Sequence, residues 1–189
     1  MIKALALVIG YLLGSINASI IFSKLKGDDI RRHGSGNAGA TNTLRTYGKG
    51  VAAGVTLFDV LKGIVAVLIA RYILRDELAV LFAGLGAVLG HNFPVYFGFK
   101  GGKGIAVLVG TILTFDWRIF LICVATFFVI LAITRFVSLG SLVMEVLFVI
   151  WVAVTRPGDW HMLILSLVFA VLAFYTHREN IKRLIAGTE

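Results

Sequence analysis

Residues 33–45 read His-Gly-Ser-Gly-Asn-Ala-Gly-Ala-Thr-Asn-Thr-Leu-Arg, an island of small and polar side chains between two long apolar runs. Glycines at positions 34, 36 and 39 let the backbone aim several N–H groups at one point, and Ser35 adds a hydroxyl. Arg45 brings a guanidinium whose planar fork matches two oxygens of a phosphate. A helix over residues 38–47, capped by Asn37 and ended by Gly48, would put Thr41, Asn42 and Arg45 on one face. With Gly34, Gly36 and Asn37 these groups make an oxyanion cradle. A plain connecting loop with basic residues would need neither its asparagines nor a serine between glycines.

A second polar stretch, residues 91–105, carries Gly101, Gly102 and Gly104 around Lys103. Free N–H groups at the positive end of a helix beside an ammonium favour phosphate. The spacing is not that of a Walker A loop: three residues, not four, separate Gly98 from Gly102, and Gly104 follows the lysine where Ser or Thr is required. His91, close to Pro94, reads as a packing histidine. A third stretch, residues 177–184, is expected to continue the last apolar helix and to put His177, Asn180, Ile181 and Leu184 on one face, with Arg178 and Lys182 on another.

The elements that must position these motifs are membrane helices. The 189 residues are 59% hydrophobic and 15% charged, with a mean hydropathy of +0.94, and the apolar residues come in runs long enough to cross a bilayer. Seven segments are expected in one domain over residues 1–189: 3–22, 51–74, 78–97, 105–115, 118–134, 137–155 and 160–176. All are too continuously apolar for barrel strands, so the fold class is an all-α integral membrane protein. The first run is longer than the core of a signal peptide and contains Asn17. Gly10, Gly14 and Ala18 give it a close-packing face, with Ser15 and Asn17 as glue between helices. Residues 105–115 are too short for a core of about 30 Å, so this segment is partial, or pairs with its neighbour as a re-entrant hairpin at Asp116 and Trp117.

Lysine and arginine set the orientation. One set of alternate ends carries twelve of them and the other five, which places the N-terminus outside and the C-terminus in the cytoplasm. All three polar motifs then emerge on the cytoplasmic side, where they can converge. The net charge of +8 comes without a basic stripe interleaved with aromatics, which argues against nucleic acid and for anionic lipid head groups and anionic substrates. Cys123 is the single cysteine, and no Asp, Glu or His cluster has ligand spacing, so neither a disulfide nor a metal or other cofactor is expected. Asp59, Lys62 and Glu145 lie within apolar runs, where ionisable groups need partners. Asp59 and Lys62 can pair at i, i+3, with Glu145 as a partner across the bundle. Ser138 and Ser141 enter their helix near the cytoplasmic surface and could reach the site.

The strings GSGNAGATNTLR, GHNFPVYFGFKGGKGIA and HRENIKRL, in this order and spacing, resemble the three motifs of the acyl-phosphate-dependent glycerol-3-phosphate acyltransferases of bacterial phospholipid synthesis. The similarity covers essentially the whole chain. It implies a multi-pass enzyme of the bacterial inner membrane; the charge bias above puts its site on the cytoplasmic face, and a monomer is expected. Such an enzyme moves a fatty acyl group from acyl phosphate to the 1-hydroxyl of sn-glycerol 3-phosphate, giving lysophosphatidic acid and inorganic phosphate. By the resemblance, Ser35, Arg45, His177 and Asn180 are the catalytic residues and the loop 101–104 binds the glycerol phosphate; the residue types themselves add Lys103 to the catalytic set. From residue type and spacing, Gly34, Gly36, Asn37, Thr41, Asn42, Gly101, Gly102, Gly104 and Ser141 are expected to hold the phosphates.

The residue inventory agrees. Two phosphate-bearing substrates account for two cradles, and an activated acyl phosphate needs little beyond positioning and charge neutralisation. No histidine has an aspartate five positions on, and Ser35 has no base in its local sequence, so direct transfer is expected, with a substrate phosphate oxygen or His177 taking the proton. The competing class is an organic-phosphate or anion carrier. Carriers build their sites near the bilayer midplane on inverted repeats, and neither feature is visible here.

Overall fold

The computed structural model describes residues 1–189 and is entirely helical, without a β-strand. In chain order the helices are α1 (Ile2–Gly14), α2 (Ala18–Leu25), α3 (Ala40–Tyr47), α4 (Lys49–Leu68), α5 (Glu77–Asn92), α6 (Ile105–Phe115), α7 (Trp117–Thr134), α8 (Val137–Thr155), α9 (Trp160–Thr176) and α10 (Arg178–Ile185). Five spans are long and apolar enough to cross a membrane, α1 and α2 together forming the first, or six if α9 and α10 count as one bent span. The remaining apolar helix, α6, has 11 residues. The chain divides into two compact units, Met1–Phe115 and Asp116–Glu189.

In the first unit, helices approach until backbone meets backbone. A Cβ at Gly10 or Gly14 of α1 would overlap the carbonyls of Ala83 or Ala87 on α5, and one at Gly86 or Gly90 of α5 would overlap those of Leu7 or Tyr11. Gly63 and Gly110 bring α4 and α6 together in the same way. Lipid supplies no hydrophobic drive between helices, so dispersion at these close crossings holds the bundle. In the second unit, Gly140 of α8 backs onto Phe127 of α7, and Phe148 meets Phe169 of α9 edge to face at 6.1 Å.

Four local features correct the sequence reading. The first span is broken at residues 15–17, where Asn17 accepts the Ile20 amide and caps α2, while Lys62 Nζ donates to the carbonyls of Gly14 and Ile16 at 3.0 Å each. A break at this depth is tolerated because protein groups satisfy the freed carbonyls. Helix α3 starts at Ala40 with Gly39 in the cap position, so Asn37 does not cap it; Gly48, in a left-handed conformation, does end it. Residues 177–184 do not continue α9 straight: α10 bends away by 64° at His177. Finally, Asp59 and Lys62 do pair, at 2.8 Å, but the third member of their cluster is His91, whose Nδ1 is 2.9 Å from Lys62 Nζ. Glu145 belongs to the second unit, is buried on α8, and its Oε2 has no hydrogen-bond partner.

Candidate active site

The first loop is held from within by Asn42. Its side chain is 2% exposed; Nδ2 donates to the carbonyls of His33 and Ile30, and Oδ1 accepts the Ser35 amide at 3.0 Å. Asn42 therefore braces the cradle and does not face a ligand, which corrects its expected place beside Thr41 and Arg45. Those two residues, one helical turn apart, are exposed. Gly34 and Gly36 adopt left-handed backbone at φ +52° and +71°, and a Cβ at Gly34 would collide with Asn42 Oδ1. Glycine is required at position 34 on both counts.

Three further residues lock the loop to its surroundings. Asn17 Nδ2 donates to the Ala38 carbonyl at 3.2 Å. Ser19 meets Thr43 at 2.7 Å, hydroxyl to hydroxyl. Asp28 accepts from His33 Nε2, the Tyr47 hydroxyl and the Asp29 amide; these hydrogen bonds, that of His33 foremost, hold its carboxyl below the usual value. Asp29, bound by the Arg31 guanidinium, is held lower still, at about 2. Both acidic groups ahead of the cradle are thus neutralised locally. Ser35 and Arg45 are left exposed, and neither side chain has a hydrogen-bond or ionic partner.

The second loop joins the first directly. Ala38 N–H donates to the Gly101 carbonyl at 3.2 Å, and Arg31 Nη1 donates to the carbonyls of Phe97 at 2.7 Å and Lys100 at 3.3 Å. The loop folds back on the end of α5: Gly101 N–H donates to Asn92 O and Gly102 N–H to His91 O, both at 3.0 Å. A Cβ at Gly102 would strike the His91 ring, and one at Gly104 would strike Asn92 and Val88. Gly101, Gly102 and Gly104 are therefore needed for close packing, and the N–H groups of Gly101 and Gly102 are taken by α5, which corrects their expected place as free donors to a phosphate. Gly104 leads into α6, whose first turn offers unsatisfied N–H groups beside the half-buried Lys103. Within the first unit, then, the cradle, Arg45's helix and the lysine loop form one hydrogen-bonded assembly.

In the second unit, His177 is 2% exposed at the bend, with Nδ1 2.8 Å from the Ala173 carbonyl. Glu189 gathers three donors: Ser138 Oγ at 2.7 Å, Asn180 Nδ2 at 2.5 Å and Arg183 Nε at 2.8 Å. Burial pushes its carboxyl up, and these hydrogen bonds overcome that, leaving it below its usual value. Asn180 is therefore aimed by Glu189. Ser141 is buried and returns its hydroxyl to the Val137 carbonyl of its own helix, while Ser138 is committed to Glu189, which does not favour either as a ligand group.

The sequence reading missed Arg31, Asn17 as a tie to Ala38, and Glu189. The Asp29-x-Arg31 spacing ahead of the first motif was a usable signal for the first. Nothing local marked the other two.

The chain matches the family model described as glycerol-3-phosphate acyltransferase over residues 4–187. It defines an integral membrane acyltransferase, and the chain belongs to the glycerol-3-phosphate acyltransferase family. A glycerol-3-phosphate acyltransferase of Thermoanaerobacter sp. (strain X514) is 46% identical, over 100% of this chain and 95% of the relative. One of Mesorhizobium japonicum is 45% identical over 98% and 93%. Among solved structures, the glycerol 3-phosphate form of PlsY (YgiH), an integral membrane glycerol 3-phosphate acyltransferase, aligns with a TM-score of 0.91 at 38% identity, covering 99% of this chain and 94% of that one. Its lysophosphatidic acid form aligns at 0.88, with 37% identity over 99% and 93%. The family sets aside the carrier reading.

Proposed function

We propose that this acyltransferase takes its acyl group from acyl phosphate and delivers it to the 1-hydroxyl of sn-glycerol 3-phosphate, releasing lysophosphatidic acid and inorganic phosphate. The observation that carries this reading is the pair of glycine loops locked together by Ala38–Gly101 and by Arg31, with Ser35 and Arg45 unpartnered at the surface. Two anion cradles held side by side suit two phosphate-bearing substrates. The relatives named for the same acceptor, and the structural neighbours holding glycerol 3-phosphate and lysophosphatidic acid, point the same way.

In the proposed reaction Arg45, Lys103, Thr41 and the N–H groups at the start of α6 hold and neutralise the phosphates, and Ser35 orients them. The glycerol hydroxyl oxygen attacks the acyl carbonyl carbon, a new ester bond forms, and the bond from that carbon to the phosphate oxygen breaks. The hydroxyl proton passes to a phosphate oxygen of bound substrate. Ser35 Oγ has no base bonded to it and His33 is turned to Asp28, which favours direct transfer over an acyl-serine. His177 and Asn180 serve the same reaction, as the resemblance of the third motif implies. The site faces the cytoplasm in this reading, since the basic loops 24–49 and 98–104 follow the positive-inside bias.

Purified enzyme in liposomes, given acyl phosphate and radiolabelled glycerol 3-phosphate, is expected to make labelled lysophosphatidic acid. Labelled lipid from acyl thioesters but not from acyl phosphate would refute the donor. A pH–rate slope near neutrality that disappears in His177→Gln would assign the base to the histidine instead of the substrate. An acyl adduct on Ser35, seen by mass spectrometry after incubation with acyl phosphate alone, would refute direct transfer.

A further inference from the structure

Helix α3 carries Arg45 but has little of its own to hold it in place. It is 8 residues long, its N-terminal cap position is Gly39 with no side-chain hydrogen bond, and Gly48 ends it. A helix that short is not stable alone in water, so neighbouring groups must set its direction and its rotation. Thr43 and Tyr47, at i and i+4, lie on the face that turns inward. The Thr43 hydroxyl meets that of Ser19, near the start of α2, at 2.7 Å. The Tyr47 hydroxyl donates to Asp28 Oδ2 at 2.9 Å, just beyond the end of α2. Its ring packs edge to face on Phe22 of α2 at 5.4 Å and lies against the buried cluster of Ile20, Ile30 and Ala38. Helix α3 is thus laid along α2 and pinned near both ends.

The Tyr47 pin is the one in the turn of Arg45. Thr46 bonds only within the helix, to the Asn42 carbonyl, and Leu44 is exposed. Residues two apart on a helix lie about 200° apart around its axis, so holding Tyr47 inward turns Arg45 outward. Asp28 can serve as the anchor because it is fixed in turn. Its amide donates to the Ser23 carbonyl at 2.9 Å, its Oδ1 accepts the Asp29 amide at 2.7 Å, and His33 Nε2 lies 2.9 Å from Oδ1 and 2.8 Å from Oδ2. One carboxylate therefore binds the residue two before Ser35 and the residue two after Arg45. We propose that Asp28 and Tyr47 are positioning residues: their hydrogen bond sets the rotation of α3 and so aims the Arg45 guanidinium at the substrate phosphate. This deepens the functional reading above and rests on it for its kinetic consequences. Both residues act through Arg45 and touch no substrate.

Tyr47→Phe removes a single hydroxyl and keeps the ring contacts, so the fold is expected to stand. With acyl phosphate and glycerol 3-phosphate as substrates, kcat/KM should fall by about five- to tenfold. In an Arg45→Ala background the same substitution should cost less than about twofold, because the group it aims is gone. A residue that only supported the fold would lose the same factor in both backgrounds. Equal losses, or wild-type kcat/KM in Tyr47→Phe, would overturn the proposal. Asp28→Ala should lower kcat/KM at least as far, and adding Tyr47→Phe to it should change nothing further; additive losses would overturn the assignment of Asp28 as the anchor. Hydrogen exchange of the wild type and Tyr47→Phe in liposomes reads the bond without turnover. The amides of residues 44–47 are expected to exchange faster in the variant, and unchanged exchange would overturn the proposal. Should the wild type prove inactive on these substrates, the functional reading fails while hydrogen exchange still decides whether the bond holds α3.

Discussion

The loop at residues 33–45 and the segment at 177–189 both carry polar residues singled out for chemistry, yet they are built in opposite ways. In the loop, buried amides and a neighbouring ion pair do the holding, and the reactive side chains Ser35 and Arg45 are left without partners. In the tail, the residue expected to act is itself tied down, Asn180 to Glu189, whose carboxylate also binds Ser138 and Arg183. The difference teaches that a backbone cradle is made rigid by sacrificing neighbouring residues to it. A short amphipathic helix lacks such neighbours and must spend a charged side chain on aiming its own polar group.

The largest effect that sharpens this contrast is expected from Arg45. Arg45→Ala removes an unpaired guanidinium from an exposed helix face, so the fold should stand while kcat/KM falls about a hundredfold or more, the worth of a forked charge-assisted contact to phosphate. Labelled lipid formation in liposomes, beside a thermal unfolding curve, separates the two. A stability loss as large as the activity loss would place Arg45 among the holding residues and break the comparison.

Asn42→Ala should show the complementary pattern. It strands two carbonyls and one amide, so stability is expected to fall by roughly 2–3 kcal/mol, with activity lost through disorder of the loop. Thermal melting in detergent checks this, and Ser35→Ala, which strands nothing, serves as the control. If Asn42→Ala melted like the wild type while losing only substrate affinity, the asparagine would be a ligand after all.

For the tail, Glu189→Gln should cut activity by about tenfold by loosening Asn180, with a smaller stability loss of roughly 1 kcal/mol. The sign of the pH effect follows from its lowered carboxyl. The stabilisation is fully present above the ordinary glutamate value and is lost as pH falls through the lower, folded value. Melting of the wild type should therefore weaken on acidification more than melting of Glu189→Gln. Equal acid sensitivity would show that Glu189 is not the group that aims the tail.

These distinctions bear on what the sequence could disclose. The helical membrane class was legible because apolar runs of spanning length have no other soluble or barrel counterpart, and α6 was recognised as short from its length alone. The three motifs were legible because glycine, serine and arginine in that spacing have few structural uses. The division of labour inside the first motif was not. Thr41, Asn42 and Arg45 fall near one another on a helical wheel, and only the fold shows that Asn42 turns toward the His33 carbonyl while the other two turn outward. The break at residues 15–17 was hidden because the groups that satisfy it, on Lys62 and Asn17, come from a different helix and from the break itself. Glu145 was misassigned because a charge in an apolar run invites a partner, while the nearer partners of Lys62 are Asp59 and His91.

The smallest effect concerns Asn37. A true helix cap is worth about 1 kcal/mol, so Asn37→Ala would destabilise α3 by that much if the asparagine capped it. Helix α3 instead begins after Gly39, and no side chain caps it, so the substitution is expected to shift stability by less than about 0.5 kcal/mol. Any change should then fall on substrate affinity, because Asn37 lies in the cradle between the left-handed Gly36 and the buried Ala38. A denaturant titration of Asn37→Ala resolves the two. A full cap-sized loss would mean that the loop closes around Asn37 when the chain is free in the membrane, and that the first motif holds itself as the tail does.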